Sequence, residues 1–321
     1  MRAKPTKRAG ERRMANEAAL LESPTATETL RKVLMRLAHE ASVEINVQDS
    51  THLDDSRKYL PPGARIYISH LPKQAFADTL RVCAAVKAAG FDPVPHVPVR
   101  LLESHEELNK LAGGAGGLGV KELLLVSGDY ALANGPFDNV AEVLRSIDLR
   151  SHGIERVSIG GHPEGHSKVE LDEIRRAELD KARIARELGL KVTFVTQFFF
   201  ESAPFLAWAR QLRSGGVSAD IRAGLAGPAK ITTLLRYAMR CGVGPSIKAL
   251  GSRPGTFTKL LGEQGPEHLL TELAEGAIEQ PQTFQGIHIF CFGGYVRTCR
   301  WLHGLASGEF RVSAAGELIV R

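Results

Sequence analysis

Short runs of β-branched and aliphatic residues alternate with longer segments whose apolar positions recur every three or four residues, from about residue 25 onward. The runs SVEINV (42–47), RIYIS (65–69), PVPHVP (93–98), KELLLVS (121–127), RVSIG (156–160), KVTFVT (191–196), ADIRAG (219–224) and GIHIFCF (286–292) read as strands. Between them, segments such as QAFADTLRVCAAVKAAG, DEIRRAELDKARIARELG and APFLAWARQLRSGG read as helices closed by glycine, and a capped amphipathic helix from about Thr25 precedes the first strand. Repeated strand–helix units of this kind predict a (β/α)8 TIM-type barrel over residues 25–321, with a two-layer α/β sandwich as the alternative.

A barrel enzyme works at the carboxyl ends of its strands, so the residues falling there are the test of function. They are Glu44, Ser69, His70, His96, Gly128, Asp129, the stretch from His162 to His166, Gln197, Gly224, Gly293 and Gly294. A ring carrying carboxylates, an amide and imidazoles suits catalysis better than a purely structural role.

Composition changes this picture little: 43% hydrophobic and 24% charged residues are ordinary for a globular protein, and the net charge of +5 is concentrated at one end. The opening MRAKPTKRAGERR is crowded with Lys and Arg against a single Glu, and residues 1–24 are expected to form a disordered basic tail. No apolar h-region marks it as a secretory signal, and no zinc-finger spacing or helix-turn-helix pattern follows it to suggest nucleic acid. No stretch has the length of a membrane span. The cysteines Cys83, Cys241, Cys291 and Cys299 form no CxxC pair, so a reduced, cytoplasmic protein without a disulfide framework is expected.

Two glycine-rich stretches invite stronger readings. GGAGGLG (113–119) contains GxGxxG, but it follows a helix and precedes a strand, the reverse of a dinucleotide fingerprint. It is expected to be a flexible connection at the other end of the barrel. GGHPEGHS (160–167) sets His162, Glu164 and His166 at alternate positions in a turn. These residues leave a polar loop and a protein-ligated metal open, with the choice resting on the rest of the chain.

Taken together, Glu44 in SVEIN, SGD (127–129), HPEGH (162–166) and VTQFFFE (195–201) resemble the strand-end motifs of the methylenetetrahydrofolate reductase family, flavoprotein (β/α)8 barrels. The resemblance runs from about residue 40 to 300, and VTQFFFE is its most specific piece. It implies FAD as cofactor, with NADH or NADPH and methylenetetrahydrofolate as small-molecule substrates; self-association is left open. It makes Glu44 the proton donor, Asp129 the carboxylate beside the flavin, and Gln197 the amide shared by folate and nicotinamide in turn. Ser69, His70, His96, Gly128, Asp129, His162, Glu164 and His166 are implied along the cofactor, with Lys181 or Arg183 as the cation for its diphosphate. Thr233 and Tyr237 are implied on the folate side. Several positions depart from the pattern: Ser127 replaces an arginine, Pro228 shifts the turn after the seventh strand, and FGGYVRTCRW replaces the usual last-strand ending.

The implied chemistry is ping-pong transfer of a hydride from nicotinamide to folate through the cofactor, since no side chain accepts two electrons reversibly. Opening the folate's five-membered ring calls for an acid at N10. Glu44 would then have to be protonated, so burial is expected to raise its pKa while Asp129 stays ionised. Phe198, Phe199 and Phe200 are expected to supply at least two core residues. Two rival readings remain: a metal-dependent barrel hydrolase built on His96, His162 and His166, and a flavin- or folate-binding protein without turnover.

Overall fold

The computed structural model describes residues 24–128, 130, 132–166, 169–240, 263–313 and 318–320. Helix α1 (Pro24–His39) leads into β1 (Ser42–Ile45). Then follow β2 (Arg65–Ile68), α2 (Phe76–Ala88), β3 (Asp92–Pro98), α3 (His105–Gly117), β4 (Glu122–Val126), α4 (Val140–Ser146), β5 (Arg156–Gly161) and α5 (Leu171–Glu187). The chain continues through β6 (Lys191–Phe198), α6 (Ser202–Ser214), β7 (Asp220–Ala226), α7 (Ile231–Arg240), α8 (Glu267–Glu279), β8 (Gly286–Phe290) and α9 (Tyr295–Ala306). A small antiparallel hairpin, β9 (Phe310–Val312) with β10 (Leu318–Val320), ends the described chain.

All eight strands fall where the hydrophobic pattern put them, and they close into one parallel barrel in the order β1-β2-β3-β4-β5-β6-β7-β8, with β8 returning to β1. The expected (β/α)8 architecture is therefore the fold. Strand pleating divides each run by side: Leu123 and Leu125, Val157 and Ile159, and Ile287 and Ile289 join the apolar layer between barrel and helices. Tyr67, Val94, Leu124 and Val195 form a separate apolar plug, with Val126 packed against it. Near the amino ends of the strands lies a polar layer in which Ser158 donates to Glu122 at 2.6 Å and Arg156 pairs with Asp220 at 2.9 Å. The plug and this layer fill the barrel with side chains, as the fold requires.

Helix α1 packs against α8 and α9, and its Leu34 and Leu37 are both fully buried. Each such leucine contributes roughly 1.5–3 kcal/mol of burial, so the helix belongs to the folded body. Phe198, Phe199 and Phe200 are all buried. GGAGGLG corrects the expectation of a flexible connection, because α3 continues through Gly117. There the helix rests on the backbone of residue 152, and a Cβ on Gly116 would run into the His152 carbonyl. Packing at that contact overrides glycine's poor helix propensity. Among the described residues no helix is long and apolar enough to cross a membrane.

Candidate active site

At the carboxyl ends of the strands, β1 turns Glu44 inward between β2, β3 and β8. Its Oε1 accepts a 2.6 Å hydrogen bond from Ser69 Oγ. Its Oε2 stands 3.4 Å from His96 Nε2 and 3.5 Å from His288 Nε2, separations of ion pairs rather than of formed hydrogen bonds. His288 is braced from behind by Ser42, whose Oγ lies 2.9 Å from Nδ1. The Tyr67 ring sits edge-on to both imidazoles.

This geometry reverses the expected charge state of Glu44. Burial pushes the carboxyl up, but His96, His288 and the Ser69 hydroxyl together outweigh it and hold the group down at about 2. The resting side chain is thus a carboxylate. Its partners lie on β3 and β8, far along the chain, and their convergence is a product of barrel closure.

The turn after β5 is fastened by a residue the sequence reading passed over. Glu178 on α5 is fully buried; its Oε1 accepts from the His162 backbone N–H at 2.8 Å, and its Oε2 accepts from Arg175 Nη1 at 2.9 Å and Trp208 Nε1 at 3.0 Å. Arg175 also donates to the carbonyls of His162 and Pro163. Burial alone would raise the Glu178 carboxyl, yet the bonds from His162 and Trp208 and the Arg175 charge bring it below the ordinary range. The signal was legible: Glu178 interrupts an i, i+4 apolar stripe between Ile174 and Ala182.

The other expected site residues separate into groups. Gln197 is half-buried at the end of β6 and makes no side-chain hydrogen bond to any described residue, so its amide is available to a ligand. A register shift between β6 and β7 follows Val195, and Gly224 N–H donates to Thr196 Oγ1 at 2.8 Å. Tyr237 is half-buried and stacks on Phe292 with centroids 4.0 Å apart, while Thr233 lies one turn earlier on α7. Phe198, Phe290 and Phe292 extend this wall, and Phe290 meets the His288 ring at 4.8 Å.

Ser69 and His96 face Glu44, and His70 is turned to Thr79 at 3.0 Å and stacked on Phe76. Gly128 adopts φ +85°. Glu164 and His166 belong to the β5 turn, and the His162 and His166 rings stand edge to face 6.2 Å apart. Asp129 lies outside the described residues. The two candidate cations differ sharply: Arg183 is exposed and paired along its own helix with Asp180 and Glu187, whereas Lys181 is half-buried and forms no hydrogen bond or ion pair with any described residue. Burial lowers the Lys181 pKa, and the Glu178 charge offsets part of that. Among the described residues, no group of three His, Cys, Asp or Glu side chains is disposed to hold a metal, and His96 is engaged with Glu44 rather than with the β5 turn.

A cleft of about 730 Å³ opens at the opposite end of the barrel, by Arg156, Lys191, Arg213 and Asp220. Of its three lining arginines, Arg156 is engaged by Asp220 and Arg213 by the carbonyls of Val217, Ala219 and Gln282, and Arg186 stands beside them. The chemically equipped end is the one around Glu44.

No family model matches the chain. Among solved structures it is similar to the crystal structure of dihydropteroate synthase from Thermus thermophilus, at 15% identity, with 84% of this chain and 94% of that chain covered and a TM-score of 0.47. At that identity and score the likeness bears on no functional argument.

Proposed function

We propose that this chain is a barrel oxidoreductase of the methylenetetrahydrofolate reductase type, using FAD to pass a hydride from NADH or NADPH to methylenetetrahydrofolate. The observation that carries the reading is the pairing of roles at the strand ends. A half-buried carboxylate with imidazole neighbours is placed for proton transfer, and a half-buried amide without a partner among the described residues is placed to bind a ring.

The residues fit FAD at one end of the site. A desolvated ammonium without a hydrogen-bond partner among the described residues favours an anion, so Lys181 would hold the diphosphate. The turn from His162 to Gly165, fixed by Glu178, would line the cofactor's chain. When bound, FAD supplies reversible two-electron chemistry that no side chain here offers. Gln197 can present either the donor or the acceptor end of its amide to nicotinamide and pterin in turn. The aromatic wall of Phe292 and Tyr237 offers a flat face for a ring. Glu44 moves the proton to N10, with Ser69 holding its other oxygen.

The test is the visible spectrum of the purified protein, which is expected to show flavin bands that bleach anaerobically on adding NADH or NADPH. Colourless protein carrying stoichiometric zinc or iron would replace this reading with the hydrolase. Flavin bands that do not bleach would replace it with a binding protein.

A further inference from the structure

Glu44 must deliver a proton, yet its surroundings hold it as a carboxylate. The proton therefore has to reside nearby, and the geometry narrows where. Both imidazoles aim Nε2 at the same carboxylate oxygen, at 3.4 and 3.5 Å. A ring nitrogen presenting its lone pair to a carboxylate would be repelled, so these nitrogens carry hydrogen. The two rings differ in surroundings. The His96 side chain is 14% exposed and Glu44 18%, whereas His288 is 0% exposed and has a hydroxyl behind it.

Other groups around the cluster do not compete for the charge. Tyr67 on β2 is held as a neutral phenol, its pKa raised by burial and by Glu122. Burial likewise raises the thiol of Cys291, just beyond β8, and lowers the imidazole of His70, after β2. His96 is pushed toward its neutral form by burial, with Glu44 pulling the other way. Ser42 and Ser69 complete the surroundings and carry no charge.

Resting on the reading of function above, we infer that His288, braced by Ser42, is the proton store of this site: a positioning residue that sets the charge of Glu44 and supplies the proton Glu44 hands on. The step balances. The store is the imidazolium, with Nδ1–H donated to Ser42 Oγ and Nε2–H facing Glu44; the Nε2–H bond breaks as an O–H bond forms at Glu44 Oε2, leaving a neutral ring that keeps its Nδ1–H on Ser42. The Glu44 O–H bond then breaks as the substrate's N–H bond forms. After product leaves, solvent reaches the partly exposed carboxyl and a proton returns to His288 through it.

The sequence held a trace of this arrangement. In GIHIFCF, period two places His288 on the same side of its strand as Phe290 and opposite Ile287 and Ile289, inside the barrel.

The test uses the full-length protein with histidine rings labelled by nitrogen-15, His288 being assigned by its loss in His288→Gln. Both ring nitrogens of His288 are expected to carry hydrogen at neutral pH in the wild type and only one in Glu44→Gln, which removes the facing charge. A His288 ring with one nitrogen unprotonated at pH 7 in the wild type, or a ring left unchanged by Glu44→Gln, would overturn the proposal. This readout needs no flavin or folate, so it stands or falls separately from the functional reading.

Single-turnover folate reduction supplies the second arm. Its rate is expected to fall with rising pH as the store empties, and in His288→Gln that falling limb should move to lower pH, because the proton then rests on Glu44 alone. Ser42→Ala, the smallest change in the cluster, should move the limb the same way by less and serves where His288→Gln does not fold. Folded variants with an unmoved limb would overturn the proposal.

Discussion

Replacing Glu178 with Gln should cost far more than a change of one charge on a helix ordinarily does. The carboxylate satisfies three donors at once: the His162 N–H, Arg175 Nη1 and Trp208 Nε1. An amide has one acceptor oxygen, so at least one of the others then faces an NH2 group donor to donor. A buried donor left unpaired costs about 1–3 kcal/mol, and breaking a buried ion pair about 3–5 kcal/mol. Arg175 keeps its bonds to the His162 and Pro163 carbonyls, which places the expected loss near the lower end of that range, about 3 kcal/mol. The assay is urea unfolding followed by tryptophan fluorescence. The sign of the pH dependence follows from the depressed carboxyl: its stabilisation is fully present above the unfolded value near 4.3 and is lost as pH falls through the lower folded value. The gap between wild type and Glu178→Gln should therefore be full at pH 7 and shrink in acid. A difference below about 1 kcal/mol at pH 7, the scale of an exposed pair, or a gap that does not shrink in acid, would refute the reasoning.

Gly224→Ala should destabilise the barrel by about 1–3 kcal/mol in thermal melts and slow hydride transfer, because a Cβ there would strike the Thr196 carbonyl oxygen and lie 2.7 Å from that of Gln197. An unchanged melt would mean that the end of β6 yields freely. Lys181→Met should weaken FAD retention, measured by ultrafiltration, by about tenfold or more, the scale of a lost charged contact. Arg183→Ala should leave it unchanged, since that side chain is paired on the surface of its own helix. The opposite ranking would reassign the diphosphate cation.

The eight strands were legible because each is a compact β-rich run bounded by turn residues, and barrel closure followed from their alternation with helices. GGAGGLG misled because local propensity favours a helix break, while the contact of α3 with His152 requires small residues there. The pairing of Arg183 along its own helix could have been read from spacing, since Asp180 and Glu187 stand three and four residues from it. The charge of Glu44 could not: burial was foreseeable, but His96 and His288 approach it only once β3 and β8 curve around β1. Ser42 was equally hidden, its partner being the last barrel strand.

Anaerobic stopped-flow of Glu44→Gln against wild type, with the two half-reactions measured separately, bears most directly on the central claim. Flavin reduction by the nicotinamide nucleotide needs no acid from Glu44 and should be nearly unchanged. Reoxidation by methylenetetrahydrofolate should slow by about two to four orders of magnitude, the scale of a lost general acid. Equal losses in both half-reactions would contradict the account by removing Glu44 from proton delivery.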